Sequence, residues 1–151
     1  MRRRPHTKSG YISLPQENFK NMVNVSKNEK DLATLVHAHV NYLGHRNILP
    51  QSYVDMMLLK ALELGHPDTM LETLRLHSEL IYHPSAVVLQ RYFEHYKAGP
   101  YEGLKAFFKT LRGNFLLVKP AGFYPAVIEQ ASSNKDKKTA KFAYIDILDY
   151  E

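Results

Sequence analysis

The chain has 151 residues, with 20 basic and 15 acidic side chains and neither cysteine nor tryptophan. That length suits one domain of ordinary size, and the lack of cysteine excludes disulfides, thiolate nucleophiles and cysteine-bound metals. No apolar run approaches the roughly 18–20 residues needed to cross a bilayer. The positive charge is uneven. Residues 1–30 carry seven basic side chains against Glu17 and Glu29, residues 31–131 carry nine of each sign, and residues 132–151 carry four of each.

Residues 1–27 lack helical periodicity and are rich in Pro, Gly, Ser and Asn, which predicts an extended basic arm. Its Arg2, Arg3, Arg4 and Lys8 suit docking onto an acidic partner, either phosphate backbone or an acidic protein surface. A solvated tail is the plainer alternative. Met1 to Gln16 holds no acidic residue, a trait shared with mitochondrial presequences, although Pro5 and Pro15 oppose the amphipathic helix of such a signal.

Ser26-Lys27-Asn28-Glu29 has the form of a capping box. A helix is expected after it through Leu32, Leu35, Val36, His39, Val40 and Leu43, stopping at Gly44. Pro50 suits the first position of the next helix, Gln51 to Leu64, whose Tyr53, Val54, Met57, Leu58, Ala61 and Leu62 form a broad apolar stripe. After the break at Gly65-His66-Pro67-Asp68, Leu71, Leu74, Leu76, His77 and Leu80 continue a third helix that ends at His83 and Pro84. A fourth spans Pro84 to about Ala98, with Val87, Val88, Tyr92, Phe93 and Tyr96 inward. Gly99-Pro100 separates it from a fifth, Tyr101 to Leu111, which buries Leu104, Phe107, Phe108 and Leu111. Pro120 opens the last helix through Phe123, Val127, Ile128 and Ala131. Residues 132–141 read as a polar linker. The tail from Phe142 to Tyr150 is too apolar for a loose end and is expected to pack on this chain or on a partner.

Pro50, Pro84 and Pro120 each precede a helix, at intervals of 34 and 36 residues, and Gly65 and Gly99 are also 34 apart. Apolar positions coincide between units, Tyr53 with Val87 and Leu58 with Tyr92 among them. A period near 35 built from helix pairs is the signature of an α-solenoid. The expected fold is therefore all-α: a short α-solenoid of antiparallel helical hairpins over residues 28–131, with the basic arm before it and the linker and docking tail after it.

The stretches LPQSYVDMMLLKALELGHPDTMLETLRLHSELIYHP and PSAVVLQRYFEHYKAGPYEGLKAFFKTLRGNFLLVKP resemble pentatricopeptide repeats: helix, Gly-containing turn, second helix, then a short run to Pro. Many members of that family read single-stranded RNA one base per repeat with polar side chains on the first helix. Here the facing positions Val54, Met57, Val88 and Arg91 are apolar or bulky, which argues against base-by-base reading. Related short mitochondrial members serve as structural subunits of ribosomes and other assemblies.

The resemblance thus implies a non-catalytic structural subunit of a large mitochondrial assembly, first the mitochondrial ribosome. Arg2, Arg3, Arg4 and Lys8 would then meet ribosomal RNA and the helical body would pack on other subunits. The alternatives are an accessory subunit of a respiratory-chain complex and a free single-stranded-RNA adaptor. Tyr92 and Tyr96, with Phe142, Tyr144, Ile147 and Tyr150 of the tail, are the expected protein-interface residues. No catalytic motif is present: eight histidines include no His-x-x-x-His pair, and there is no HExxH, GxSxG or Gly-rich phosphate loop. No cofactor, metal, small-molecule substrate or transmembrane segment is expected.

Overall fold

A computed structural model describes residues 16–43, 49–65, 67–76, 83–112 and 119–149. The described residues form eight helices and no strand, an all-helical arrangement. They are α1 (Gln16–Val25), α2 (Glu29–Leu43), α3 (Gln51–Glu63), α4 (Pro67–Leu76), α5 (Ala86–Ala98), α6 (Tyr101–Arg112), α7 (Phe123–Ser133) and α8 (Lys137–Asp149). In place of the single domain expected from length, the chain divides into two compact units, Met1–Ser85 and Ala86–Glu151.

The N-terminal unit begins with a correction. Residues 16–25, expected to be extended, form α1. Phe19 and Val23, one helical turn apart, are buried, and the Ser26 hydroxyl donates to the Met22 carbonyl at 2.9 Å. Two apolar anchors at i and i+4 are enough to dock a short helix, although they are too few to show as periodicity. The ring of Phe19 stacks on Tyr53 of α3, with centroids 4.1 Å apart. The start of α2 also differs from the expected capping box. Asn28, not Ser26, caps it: its side-chain oxygen accepts from the Asp31 amide at 2.9 Å, and the Asp31 carboxylate accepts from the Lys27 amide at 2.9 Å. Leu32, Leu35 and Val36 are buried along one face of α2, as expected.

Pro50 precedes α3 in extended conformation, and its carbonyl accepts from the amides of Tyr53 and Val54. The apolar stripe is buried over Tyr53, Val54, Met57, Leu58 and Ala61. Gly65 ends the helix at φ +81°, where a side chain would be strained. α1 packs on α3, and α2 and α3 pack on α4. The segment entering α5 is tied back to α3: Gln51 Nε2 donates to the His83 carbonyl and the Ser85 amide donates to Asp55 Oδ1, each at 2.9 Å. The expected helical residues 77–80 lie outside the described residues.

The C-terminal unit has an aromatic core. Phe107 of α6 meets Tyr96 at 5.1 Å and Phe123 at 5.7 Å between ring centroids, and Phe93 meets Phe123 at 5.6 Å. α6 approaches so closely that a side-chain carbon on Gly103 would lie 3.0 Å from the Tyr96 ring. All four expected core residues of α6 are buried. In α5 the expectation fails by one residue at its start. Val87 is 68% exposed, and Leu89 takes the inward place beside Val88.

The burial patterns of α3 and α5 coincide at an interval different from that of the prolines. The buried residues of α3, at 53, 54, 57, 58 and 61, correspond to those of α5, at 88, 89, 92, 93 and 96, with an interval of 35 rather than 34. The helix limits shift by the same amount, from Gln51–Glu63 to Ala86–Ala98. A further 35 residues lead to Phe123, Val127 and Ala131, all buried in α7, and to its last residue, Ser133. Counting backwards leads to Phe19, Val23 and Ser26, and to Gln16, the first residue of α1. Leu14-Pro15-Gln16 and Leu49-Pro50-Gln51 are the same tripeptide at this interval. The match to α1 is partial, since the positions 35 before Tyr53 and Met57 are the exposed Asn18 and Met22.

Candidate interaction surface at the α7–α8 elbow

Residues 132–141 are not a linker. α7 continues to Ser133, and after three intervening residues α8 begins at Lys137. The Lys135 amide donates to the Ser132 carbonyl at 3.1 Å and the Asp136 amide to the Ala131 carbonyl at 2.8 Å, with Lys135 at φ +59°. These paired bonds close the carbonyl end of α7 in a Schellman arrangement. Asp136 then serves as the amino-terminal cap of α8: its Oδ1 accepts from the Thr139 amide at 3.2 Å and its Oδ2 from the Thr139 hydroxyl at 2.7 Å. One residue thus finishes one helix and starts the next, which a reading for apolar periodicity cannot detect.

Asp136 also binds α6. The Tyr101 hydroxyl donates to its Oδ2 at 2.6 Å, and Lys105 Nζ stands 3.1 Å from the same oxygen. The Tyr101 hydrogen bond, followed by those of Thr139, holds the Asp136 carboxyl well below its usual range. Burial, reinforced by the donated bond to Asp136, pushes the Tyr101 phenol up to about 12. A second tie lies farther along α8. Arg112 Nε donates to both carboxylate oxygens of Asp146, at 3.1 and 2.9 Å, and its guanidinium covers the Phe142 ring at 4.1 Å. Both carboxylates are therefore occupied by α6.

The outer face of α8 has a different character. Lys137, Lys138 and Lys141 are exposed, followed by Tyr144 at 57%, Ile145 at 36% and Leu148 at 71% exposure. Lys135, Lys137, Ala140, Lys141 and Tyr144 line an open groove of about 490 Å³ at the elbow, with Ser132 and Asp136. Among the described residues no carboxylate lies within ion-pair distance of Lys135, Lys137, Lys138 or Lys141. The even charge count over residues 132–151 concealed this. Asp136 and Asp146 are engaged by Lys105 and Arg112, which leaves the surface lysines without a carboxylate partner, although Lys138 Nζ lies 6.0 Å from the centroid of the Phe142 ring. The run Lys135-Asp136-Lys137-Lys138 was the available signal.

The expected interface residues divide. Tyr144 lies on this face. Phe142 and Ile147 are half-buried, and Phe142 is held under Arg112. Tyr92 and Tyr96 are corrected: at 1% and 5% exposure they belong to the aromatic core, which takes up the surface that a partner would need. Arg2, Arg3, Arg4, Lys8 and Tyr150 lie outside the described residues. Among the described residues no group of three His, Asp or Glu side chains could hold a metal, and no helix is long and apolar enough to cross a membrane. Comparison with family models, with curated proteins and with solved structures finds no match to this chain.

Proposed function

We propose that this chain is a non-catalytic structural subunit of a large mitochondrial assembly, with the mitochondrial ribosome as the first choice. Its helix pairs would form a short α-solenoid of antiparallel hairpins that docks through its outer surfaces. The observation that carries the reading is the common burial pattern of α3 and α5 at an interval of 35 residues. Repeated pairs of this kind build extended binding surfaces, and the resemblance to pentatricopeptide repeats supplies the mitochondrial context. Base-by-base reading by the first helices is disfavoured, because Val54 and Met57 are 0% and Val88 3% exposed.

The test is sedimentation of the tagged full-length chain from a mitochondrial lysate, with and without ribonuclease. Co-sedimentation with a ribosomal subunit that collapses on ribonuclease treatment is the expected result. A ribonuclease-resistant association with a membrane complex would move the protein to the respiratory chain. Migration as a free 17.5 kDa species would refute both.

A further inference from the structure

We infer that the exposed face of α8 docks an acidic amphipathic segment of a partner protein, with carboxylates over the lysines and apolar side chains over Tyr144, Ile145 and Leu148. This deepens the docking reading above and rests on it for the existence of a protein partner. Lys137, Lys141, Tyr144 and Leu148 follow one another at four, three and four residues, which places them on a single line along the helix. At about 1.5 Å per residue the stripe is roughly 16 Å long, or three helical turns. Its first half is cationic and its second half is apolar.

The order along the stripe selects the occupant. The basic arm of this chain, with Arg2, Arg3, Arg4 and Lys8, would meet four lysines of like charge. A second copy of α8 could offer this cluster only Asp149 from its described outer face. An RNA strand would use the lysines and the Tyr144 ring but leave Ile145 and Leu148 uncovered. An anionic membrane would meet Asp149 at the apolar end of the stripe, where favourable insertion needs cations around the apolar side chains. A protein segment with its carboxylates at one end and its apolar residues at the other satisfies both halves. The lysines have no carboxylate partner of their own, since the two nearby carboxylates are held by α6. Hydrophobic contact supplies the affinity and charge pairing fixes the direction in which the segment lies.

The experiment is site-specific photo-cross-linking of the full-length chain in intact mitochondria, using Tyr144→benzoylphenylalanine and Leu148→benzoylphenylalanine. Glu94→benzoylphenylalanine, on the exposed face of α5, is the background control. The expected product joins residues 144 and 148 to one protein segment with two or more Asp or Glu within two helical turns of the linked apolar residue. In the Lys137→Gln, Lys138→Gln, Lys141→Gln triple variant the yield should fall about tenfold, as the loss of three surface ion pairs implies. Cross-links to RNA, to lipid, to a second copy of the chain or to a segment without carboxylates would overturn the inference. So would a yield no higher than the Glu94 control, or one indifferent to the lysines. A chain that sediments alone but gives the acidic cross-link removes the large assembly and leaves this surface standing. Co-sedimentation without that cross-link does the reverse.

Discussion

Replacing Lys135 with glycine separates the conformation of its backbone from the charge of its side chain. At φ +59° Lys135 occupies the left-handed position after the end of α7, which glycine adopts without penalty. Relief of the Cβ clash is worth about 1–2 kcal/mol. The greater freedom of glycine in the unfolded chain takes back about 0.4–1 kcal/mol. Lys135→Gly should therefore stabilise the C-terminal unit by about 0.5–1 kcal/mol, raising its midpoint by roughly 2–8 °C for a unit of this size. Lys135→Ala keeps the strained backbone and loses the same charge, so its midpoint should stay near that of the parent. Thermal unfolding of the full chain followed by circular dichroism measures both. Equal midpoints for the two variants, or a lower one for glycine, would refute the Schellman geometry at the elbow. Both variants should weaken docking alike, because both remove one cation from the groove.

Val87→Ala should change stability by less than about 0.5 kcal/mol, whereas Val88→Ala should cost about 2 kcal/mol, and a denaturant titration of the two decides between intervals of 35 and 34. Phe107→Ala, which removes a ring in contact with Tyr96 and Phe123, should cost about 3–5 kcal/mol and unfold much of the C-terminal unit at room temperature. Arg112→Met leaves the buried Asp146 carboxylate without its donor and should cost about 2–3 kcal/mol, less than for a fully buried pair because Arg112 is 36% exposed. The elbow also sets two limits in pH. Tyr101 titrates higher folded than unfolded, so its contribution is complete below about pH 10 and is lost as the pH rises through about 12. Asp136 titrates lower folded than unfolded, so its contribution is present above about pH 4 and is lost on further acidification. Tyr101→Phe should remove that part of the alkaline loss and one late-titrating tyrosinate from the absorbance, and reduce the acid sensitivity.

Much of the helical architecture could be read from the residues, and the places where it could not have physical causes. α6 was legible in full, because Leu104, Phe107, Phe108 and Leu111 give a clean stripe between two breaks. α5 was misread at Val87 because hydrophobicity alone does not distinguish two adjacent valines, and only the neighbours decide which one turns inward. α1 was missed because its burial rests on so few side chains, and α8 because it buries Thr139, Ala143 and Asp146, none of them a large apolar residue. Tyr144, Ile145 and Leu148 point outward while Phe142 and Ile147 are half-buried, so its apolar residues do not mark one inward stripe. Tyr92 and Tyr96 do not behave as tyrosines at a wet edge. Their rings fill the space between α5 and α6.

The interval of 35 residues has a consequence for how such a chain can change. In α3 and α5 only five of thirteen positions are buried. The inward set is satisfied by Tyr, Val, Met, Leu and Ala in one helix and by Val, Leu, Tyr, Phe and Tyr in the other. Spacing is held while identity drifts, so two helices of one molecule can share a plan and almost no residues. The exposed positions, such as Ser52 and Glu63 of α3 and Arg91 and Glu94 of α5, carry little of the packing. Each pair can acquire its own surface without renegotiating the core, as α8 has done with its lysines and its Tyr144, Ile145 and Leu148.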